Sequence, residues 1–205
     1  MRAMKEIVDS LQLTFGQVAW ALNAGREPDK VTIDRLRYLR QLHVPFTDKE
    51  LKQHGAGSGN RLIYGFDHLV ECALAIYALR QRMKPTEVAK VIVAERVFIR
   101  NAARELFLSL SPEALTASWV KSRGQEKVLM EDEQFLRLHD RFSQTPGKID
   151  LVSWEQAQGN PDISPLDFIE RLANGEARPL VPLRRVTLIA VAWALEAPKT
   201  RPGPQ

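Results

Sequence analysis

The segment that most constrains the fold is 31–66, in which a helical pattern is followed by a glycine-rich stretch. Pro45 cannot continue a helix, so we expect the helix to end just before it. Glycine recurs at alternate positions in Gly55-Ala56-Gly57-Ser58-Gly59, which allows positive φ angles and a mobile turn. We therefore predict that Leu51 to His54 and Leu62 to Tyr64 are the strands of a hairpin that directly follows the helix.

The helix of this segment has two chemically different faces. Thr32 is a favourable N-cap residue, and Ile33, Leu36 and Leu39 recur at the spacing of a stripe that packs on a core. The other positions are basic or polar, and we expect them to be exposed: Arg35, Arg37, Tyr38, Arg40 and Gln41. The pattern predicts a short helix with three arginines and a tyrosine on its solvent side.

The predicted hairpin is basic as well. Lys52 lies on its incoming strand, and Asn60 and Arg61 flank its glycine tip. Winged helix-turn-helix proteins bind duplex DNA with such a pair, the helix in the major groove and the wing along the neighbouring backbone. A solvated, salt-bridged surface is the alternative for the helix. A nucleotide cradle is the alternative for the glycines, but the stretch has no GKS or GKT signature.

Two runs of residues carry a family resemblance. Residues 32–38, Thr-Ile-Asp-Arg-Leu-Arg-Tyr, and residues 59–67, Gly-Asn-Arg-Leu-Ile-Tyr-Gly-Phe-Asp, resemble the DNA-binding domain of the mercury-resistance-regulator (MerR) family. In that family a recognition helix bearing Leu-Arg-Tyr precedes a wing that ends in Arg-x-Tyr and an acidic helix start. The resemblance implies phosphate contacts at Arg37, Tyr38, Arg61 and Tyr64.

The resemblance covers about residues 14–110, and the chain departs from the family pattern in three places. Leu39 stands where the family usually has a second aromatic residue, and the turn at 23–31 is longer than the family's. The sequence after Leu110 matches no effector domain. Independently of the family, Thr32, Arg35 and Gln41 are the residues that we expect to reach base edges, with arginine to guanine as the specific contact.

The charge distribution favours an anionic partner for the first half of the chain. Residues 1–112 contain 17 Lys and Arg and 12 Asp and Glu, a net charge of +5, whereas residues 113–205 have a net charge of −1. The lone cysteine, Cys72, excludes an internal disulfide framework and fits a reducing cytoplasm. The family resemblance implies a bacterial, nucleoid-associated protein. No apolar run approaches membrane-spanning length, so we expect no membrane partner.

Helices are predicted on both sides of the central segment. Met1 to Leu11 forms either a leading helix or a loose arm, and Thr14 caps a helix that Gly25 stops at its C′ position. Asp67 caps a buried helix to about Met83. A helix from Thr86 to about Leu110 has a longer apolar stripe than a small domain needs. We expect its C-terminal half, Phe98 to Leu110, to pack on another subunit or on the second domain, and we favour dimerisation.

The second half of the chain predicts a small α+β domain. Alternating residues in Phe135 to Phe142 and Lys148 to Ser153 predict a hairpin, and the alanine-rich run Leu183 to Leu195 favours a helix. Leu115 to Val120 and Pro165 to Leu172 are expected to be short helices. The expected fold is mainly α with small β, in four units: a winged helix-turn-helix domain at 1–83, a connecting helix at 84–111, an α+β domain at 112–197 and a tail at 198–205.

No pattern in the sequence predicts a catalytic or metal site. His68 and Cys72 lie four residues apart on one helix, but no further ligand pattern completes a metal site, so a buried thiol beside a capping histidine is the better interpretation. Trp119 and Trp154 are interpreted as core or interface anchors, with an aromatic ligand pocket as the minor alternative. We expect no cofactor and no enzymatic activity.

The sequence as a whole predicts a transcriptional regulator that binds double-stranded operator DNA as a homodimer. An unknown small-molecule or protein effector would act at the C-terminal domain. One alternative is an architectural, partition or recombination-directionality DNA-binding protein. A second alternative is a protein-interaction adaptor, whose basic helix would contact an acidic protein instead of DNA.

Overall fold

The computed structural model describes residues 2–53, 62–110, 115, 134–138, 149–153 and 180–198. The described part is mainly helical. Its helices are α1 (Arg2–Ser10), α2 (Phe15–Leu22), α3 (Lys30–Gln41), α4 (Asp48–Gln53), α5 (Phe66–Arg80), α6 (Pro85–Ala94), α7 (Arg96–Leu108) and α8 (Leu183–Leu195). Its strands are β1 (Gln134–Leu138), β2 (Ile149–Ser153) and β3 (Leu180–Pro182).

Helix α2 begins where the sequence predicted, because its first turn is a complete capping box. The Thr14 side chain accepts from the Gln17 backbone N–H, and the Gln17 side chain accepts from the Thr14 N–H at 2.8 Å. The C′ position at the end of the helix is one residue earlier than predicted, at Ala24 and not at Gly25. Ala24 occupies the C′ position with φ 54°, and Gly25 follows it with φ 69°. The Gly25 N–H bonds to the Trp20 carbonyl, so the two residues form a Schellman motif.

The predicted hairpin after α3 is wrong in its first strand. Residues 48–53 form helix α4, because Thr47 and Glu50 make a second capping box that the sequence interpretation overlooked. The predicted outgoing strand is reduced to an isolated bridge, in which Tyr64 pairs with Leu13 on the far side of α2. The glycine tip lies outside the described residues.

Helix α5 forms the centre of the core and is buried over most of its circumference. It begins at Phe66 with Gly65 as its N-cap, so Asp67 lies in the first turn and is not the cap that the sequence predicted. The helix expected from Thr86 to Leu110 is two helices, broken at Glu95, where φ is −106° and ψ is 18°.

Most of the apolar stripe of the broken helix is covered by the chain itself, although Phe98 is exposed. Ile99, Ala103 and Phe107 are buried in the same core as α5, and the Phe66 and Phe107 rings lie 5.1 Å apart between their centroids. The break allows α6 and α7 each to direct a buried face at α5. The buried part of the stripe therefore gives no support to the dimerisation helix that the sequence predicted.

Helix α8 is confirmed as a helix, but it is not part of a separate domain. It packs against α5, α2 and α7, and its buried residues belong to the same hydrophobic core as theirs. The Trp20 and Trp193 rings meet edge to face with centroids 5.7 Å apart, and the Gln17 side chain donates to the Pro198 carbonyl. The boundary predicted at 112 therefore does not separate this helix from the N-terminal helices.

The three strands form one antiparallel sheet in the order β2-β1-β3. The predicted antiparallel pairing is confirmed where its strands are described, since Leu138 pairs with Ile149 and Gln134 with Ser153. Residues 139–142 of the first predicted strand lie outside the described residues. Strand β3 was not predicted, and it joins the sheet directly to the start of α8. Leu136 and Val181, which are register partners, are both buried in the core that contains α5. Leu115, the first residue of the helix predicted at 115–120, is helical. Residues 116–120, the predicted helix at 165–172 and the tail after Pro198 lie outside the described residues.

Candidate nucleic-acid interface

Helix α3 carries most of the residues that the sequence proposed for DNA contact, and its start is fixed by a side-chain cap. Asp29 is the N-cap, and its carboxylate accepts from the Thr32 backbone N–H at 2.7 Å. These hydrogen bonds hold the pKa of Asp29 below its ordinary value. The helix therefore begins two residues before the predicted cap, Thr32, which lies inside the first turn.

The buried face of α3 explains this correction. Thr32, Leu36 and Leu39 are all buried and recur at i, i+4 and i+7, whereas Ile33 is only half-buried. At the start of the helix the buried position is therefore Thr32, one residue before the predicted Ile33. Since Thr32 is only 5% exposed, we remove it from the residues proposed to reach a base edge.

The opposite face of α3 is exposed along its full length. Tyr38 is 43% exposed and Val31 55% exposed, while Arg35 and Arg40 are half-buried beside them. The exposed stripe comprises Lys30, Val31, Asp34, Arg37, Tyr38 and Gln41. Arg37 lies 3.7 Å from Asp34 in an exposed pair, which is the weak, solvent-screened salt bridge that the alternative interpretation expected.

Tyr64 lies in the core and not on this surface. It is 2% exposed, and its ring packs edge to face on Phe46 with centroids 4.8 Å apart. Burial raises the pKa of the Tyr64 hydroxyl, and the Arg40 guanidinium beside it acts in the opposite direction. The expected phosphate contact of Tyr64 is therefore replaced by a structural role beneath Arg40.

The remaining proposed residues divide into two groups. Lys52 is exposed, but it lies on helix α4 and not on a strand. Asn60 and Arg61 lie outside the described residues. The structure therefore brings Arg35, Arg37, Tyr38, Arg40 and Gln41 together on one helix, and it leaves the wing half of the proposal without a structural description.

The loop that ends α3 is held by side chains from other helices. His43 occupies the C′ position with φ 64°, and the Val44 N–H bonds to the Leu39 carbonyl, which completes a Schellman motif. The Arg96 guanidinium donates to the His43 carbonyl, and the Arg100 guanidinium donates to the Pro45 carbonyl at 3.2 Å. Both arginines belong to α7, so α7 holds the C-terminal end of α3.

These arginines are part of an ion-pair ladder between α5 and α7. Arg104 binds Asp67 through two hydrogen bonds of 2.7 Å, and Arg100 and Arg96 bind Glu71 at 2.6 Å and 3.0 Å. The acids are four residues apart on one helix and the bases four residues apart on the other. This complementary four-residue spacing was not predicted, although it is visible in the sequence as a signal that two helix faces pair.

Glu71 is the buried end of the ladder. Its side chain is fully buried, while the paired arginines keep 11% and 20% of their side-chain surface exposed. Burial raises the pKa of Glu71 to about 7, against the opposing effect of the Arg100 and Arg96 guanidinium groups. The network holds the end of α3, because Arg96 and Arg100 each bind Glu71 and also donate to the loop that follows the helix.

His68 and Cys72 are accounted for by the core. The His68 Nδ1 accepts from the Gly65 N–H, and its Nε2 lies 3.2 Å from a carboxylate oxygen of Glu50. Cys72 is buried, and burial raises the pKa of its thiol. Both ring nitrogens of His68 thus have protein partners, and the described residues contain no cluster of three or more potential metal ligands.

Comparisons with protein-family models, with curated proteins and with solved structures gave no match to this chain. The MerR resemblance therefore depends on the residues that carry it. In the part of the chain that the structure describes, no helix has both the length and the apolar character needed to cross a bilayer.

Proposed function

We propose that the protein is a sequence-specific transcriptional regulator that binds duplex operator DNA as a homodimer through helix α3. The observation that carries the proposal is the division of this helix into a buried face and an exposed basic face. Three arginines and an exposed tyrosine on one short helix match the electrostatic and polar contacts that a recognition helix makes with a major groove.

The roles within α3 follow from exposure. Arg37 and Tyr38 are exposed and can contact phosphates, whereas Arg35 and Gln41 can direct their polar groups at base edges. Val31 extends this set, because an exposed valine one heptad before Tyr38 can contact a thymine methyl group. Arg40 combines a surface position with support from the buried Tyr64 hydroxyl.

The homodimer in this proposal rests on the exposed start of α7, within the segment that the sequence assigned to dimerisation. Val97 is 73% exposed and Phe98 39% exposed near the start of α7. Adjacent exposed apolar side chains of this size mark association surfaces more often than isolated ones do. A two-fold dimer would place two copies of α3 against an inverted repeat.

The proposal is tested by selecting binding sites from genomic DNA with the full chain and measuring affinity on the recovered sites at several salt concentrations. Arg37→Ala should weaken binding to all duplexes and reduce the salt slope by about 1, whereas Arg35→Ala should relax preference at one base pair by about 1–3 kcal/mol. Lys5→Ala, an exposed change on α1, is the matched control.

Each outcome of this experiment has a definite meaning. A compact inverted repeat with both mutant effects supports the proposal. Weak binding everywhere with a steep salt slope would favour the architectural alternative. If Arg37→Ala and Arg35→Ala both bind DNA as the control does, helix α3 is not the DNA-binding surface.

A further inference from the structure

A groove with a volume of about 800 Å³ lies behind the exposed face of α3. Its walls come from three elements: the end of α3 with its following loop, the start of α4, and one side of α6. The lining residues are Gln41, Leu42, His43, Thr47, Asp48, Lys49, Thr86, Ala89, Lys90, Val93, Ala94 and Arg96. None of these residues has a role in the proposed base contacts except Gln41, at the groove's edge.

Part of the groove wall is apolar. Leu42, Ala89 and Val93 line the groove, and Val93 is 40% exposed although it belongs to a helix whose other face is buried. The groove therefore offers several apolar side chains to a ligand that reaches across α6.

The charges of the groove are not balanced within the described residues. The His43 Nδ1 lies 2.8 Å from a carboxylate oxygen of Asp48, and Arg96 binds the buried Glu71. Lys49 on α4 and Lys90 on α6 are exposed, and within the described ranges neither has an acidic partner within salt-bridge distance. The two lysines therefore present positive charge from two separate walls of an apolar groove.

We propose that this groove docks an acidic amphipathic helix of a partner protein. Apolar side chains at i, i+3, i+4 and i+7 of such a segment would cover Leu42, Ala89 and Val93, and its carboxylates would pair with Lys49 and Lys90. Charge complementarity of this kind selects an acidic segment over a basic one. Duplex DNA fits less well, because its evenly charged backbone has no apolar side chains to place in the groove.

A segment in this groove would contact the terminal turn of α3. Gln41, Leu42 and His43 end that helix, and Arg96 joins the groove to the Glu71 network that holds the same loop. A docked partner would thus act on the orientation of the helix that we propose contacts DNA. This regulatory link rests on the proposed function, whereas the docking does not.

The experiment uses the full chain and a fluorescent synthetic peptide of about 12–15 residues, with leucines at helical spacing and glutamates elsewhere. Fluorescence anisotropy at low salt measures binding without DNA. A peptide with lysine in place of every glutamate and a scrambled peptide of identical composition are the controls. We expect saturable binding of the acidic amphipathic peptide alone, and binding about tenfold weaker to the Lys49→Glu/Lys90→Glu variant.

Further variants locate the bound peptide. Val93→Asp should also weaken binding, whereas Lys5→Glu makes the same charge reversal on α1 and should not. Arg37→Ala should leave peptide binding unchanged, so failure of the DNA proposal and failure of the docking proposal are separable. Equal binding of the acidic and scrambled peptides, or an unchanged affinity of the double lysine variant, would overturn the inference. Loss of DNA affinity in that variant, without peptide binding to the wild type, would assign the lysines to DNA.

Discussion

Glu50 offers the sharpest test of how local side-chain bonds hold the loop and helix that follow α3. Its carboxylate accepts from the Thr47 N–H at 2.6 Å and from the Thr47 hydroxyl at 2.8 Å, and it lies 3.2 Å from the His68 Nε2. Burial alone would raise the pKa of Glu50, but these hydrogen bonds outweigh it and lower the pKa from 4.5 to about 2. The ionised carboxylate is therefore the form that stabilises the fold.

The substitution Glu50→Gln separates charge from capping, because glutamine also serves in a capping box. A pKa difference of this size corresponds to an upper limit of about 3 kcal/mol. Since nearly a third of the side chain is exposed, solvent screening reduces the expected loss of unfolding free energy to about 1–2 kcal/mol near pH 6. Glu50→Ala, which removes the cap as well, should cost about 1 kcal/mol more.

The sign of the pH dependence follows from the lowered pKa. The Glu50 contribution is fully present above pH 4.5 and is lost as the pH falls towards 2, so the gap between wild type and Glu50→Gln should narrow in that window. Urea unfolding followed by circular dichroism at pH 6 and at pH 3.5 measures the gap. A difference in unfolding free energy that is equal at both pH values would refute the reasoning, since it would mean that the carboxylate charge contributes nothing.

Three further substitutions test other parts of the fold by the same unfolding measurement. Burial raises the pKa of Glu71 to about 7, so the stability contributed by its protonated form is present below pH 4.5 and declines as the pH rises through 7. Glu71→Gln should remove that decline. If the wild type instead becomes more stable than Glu71→Gln towards pH 8, the attraction of the arginines outweighs burial. Gly25→Ala should destabilise by more than about 1 kcal/mol, because φ is positive and the new Cβ would collide with the Trp193 ring. Leu188→Ala in α8 should cost about 2–5 kcal/mol, and a loss below 1 kcal/mol would show that α8 does not share the core.

Local signals in the sequence predicted the parts of the fold that local bonds determine. Thr14 and Gln17 form the cap that starts α2, and the apolar, alanine-rich run of α8 is a helix. The alternation in β1 and β2 gave an antiparallel pair. Each of these elements is determined by residues that lie within a few positions of one another in the chain. Sequence patterns are most informative over that short range.

The errors came from two sources. Thr32 has the chemistry of an N-cap, but Asp29 lies three residues earlier and its carboxylate accepts from the Thr32 backbone N–H. Placing the cap one turn too late assigned the buried Thr32 to the surface. At α4 the glycines suggested a hairpin strongly enough to hide the Thr47 and Glu50 capping box. In both cases two local signals compete within a few residues. The side-chain hydrogen bond that forms, from the Thr32 N–H to Asp29 or from the Glu50 N–H to Thr47, determines which signal prevails.

Other features could not be read from local sequence at all. The break at Glu95 involves neither glycine nor proline, and it depends on how α6 and α7 each pack on α5. The burial of Glu71 depends on arginines 25 and 29 residues away in the chain. For the proposed interface, the exposed face of α3 was predictable from periodicity. The burial of Tyr64 was not, because it depends on the backbone bridge between Tyr64 and Leu13.

Helix α8 joins the C-terminal half of the chain to the N-terminal helices by direct packing. Trp193 packs on Trp20, and it fills the space beside Gly25 at the end of α2. Helix α2 in turn packs on α3, so the C-terminal helix is two contacts from the exposed arginines. A displacement of α8 cannot be absorbed by a linker, because close-packed cores transmit such shifts to their neighbours. The packed core therefore connects the C-terminal helix to α3 through α2 and α5.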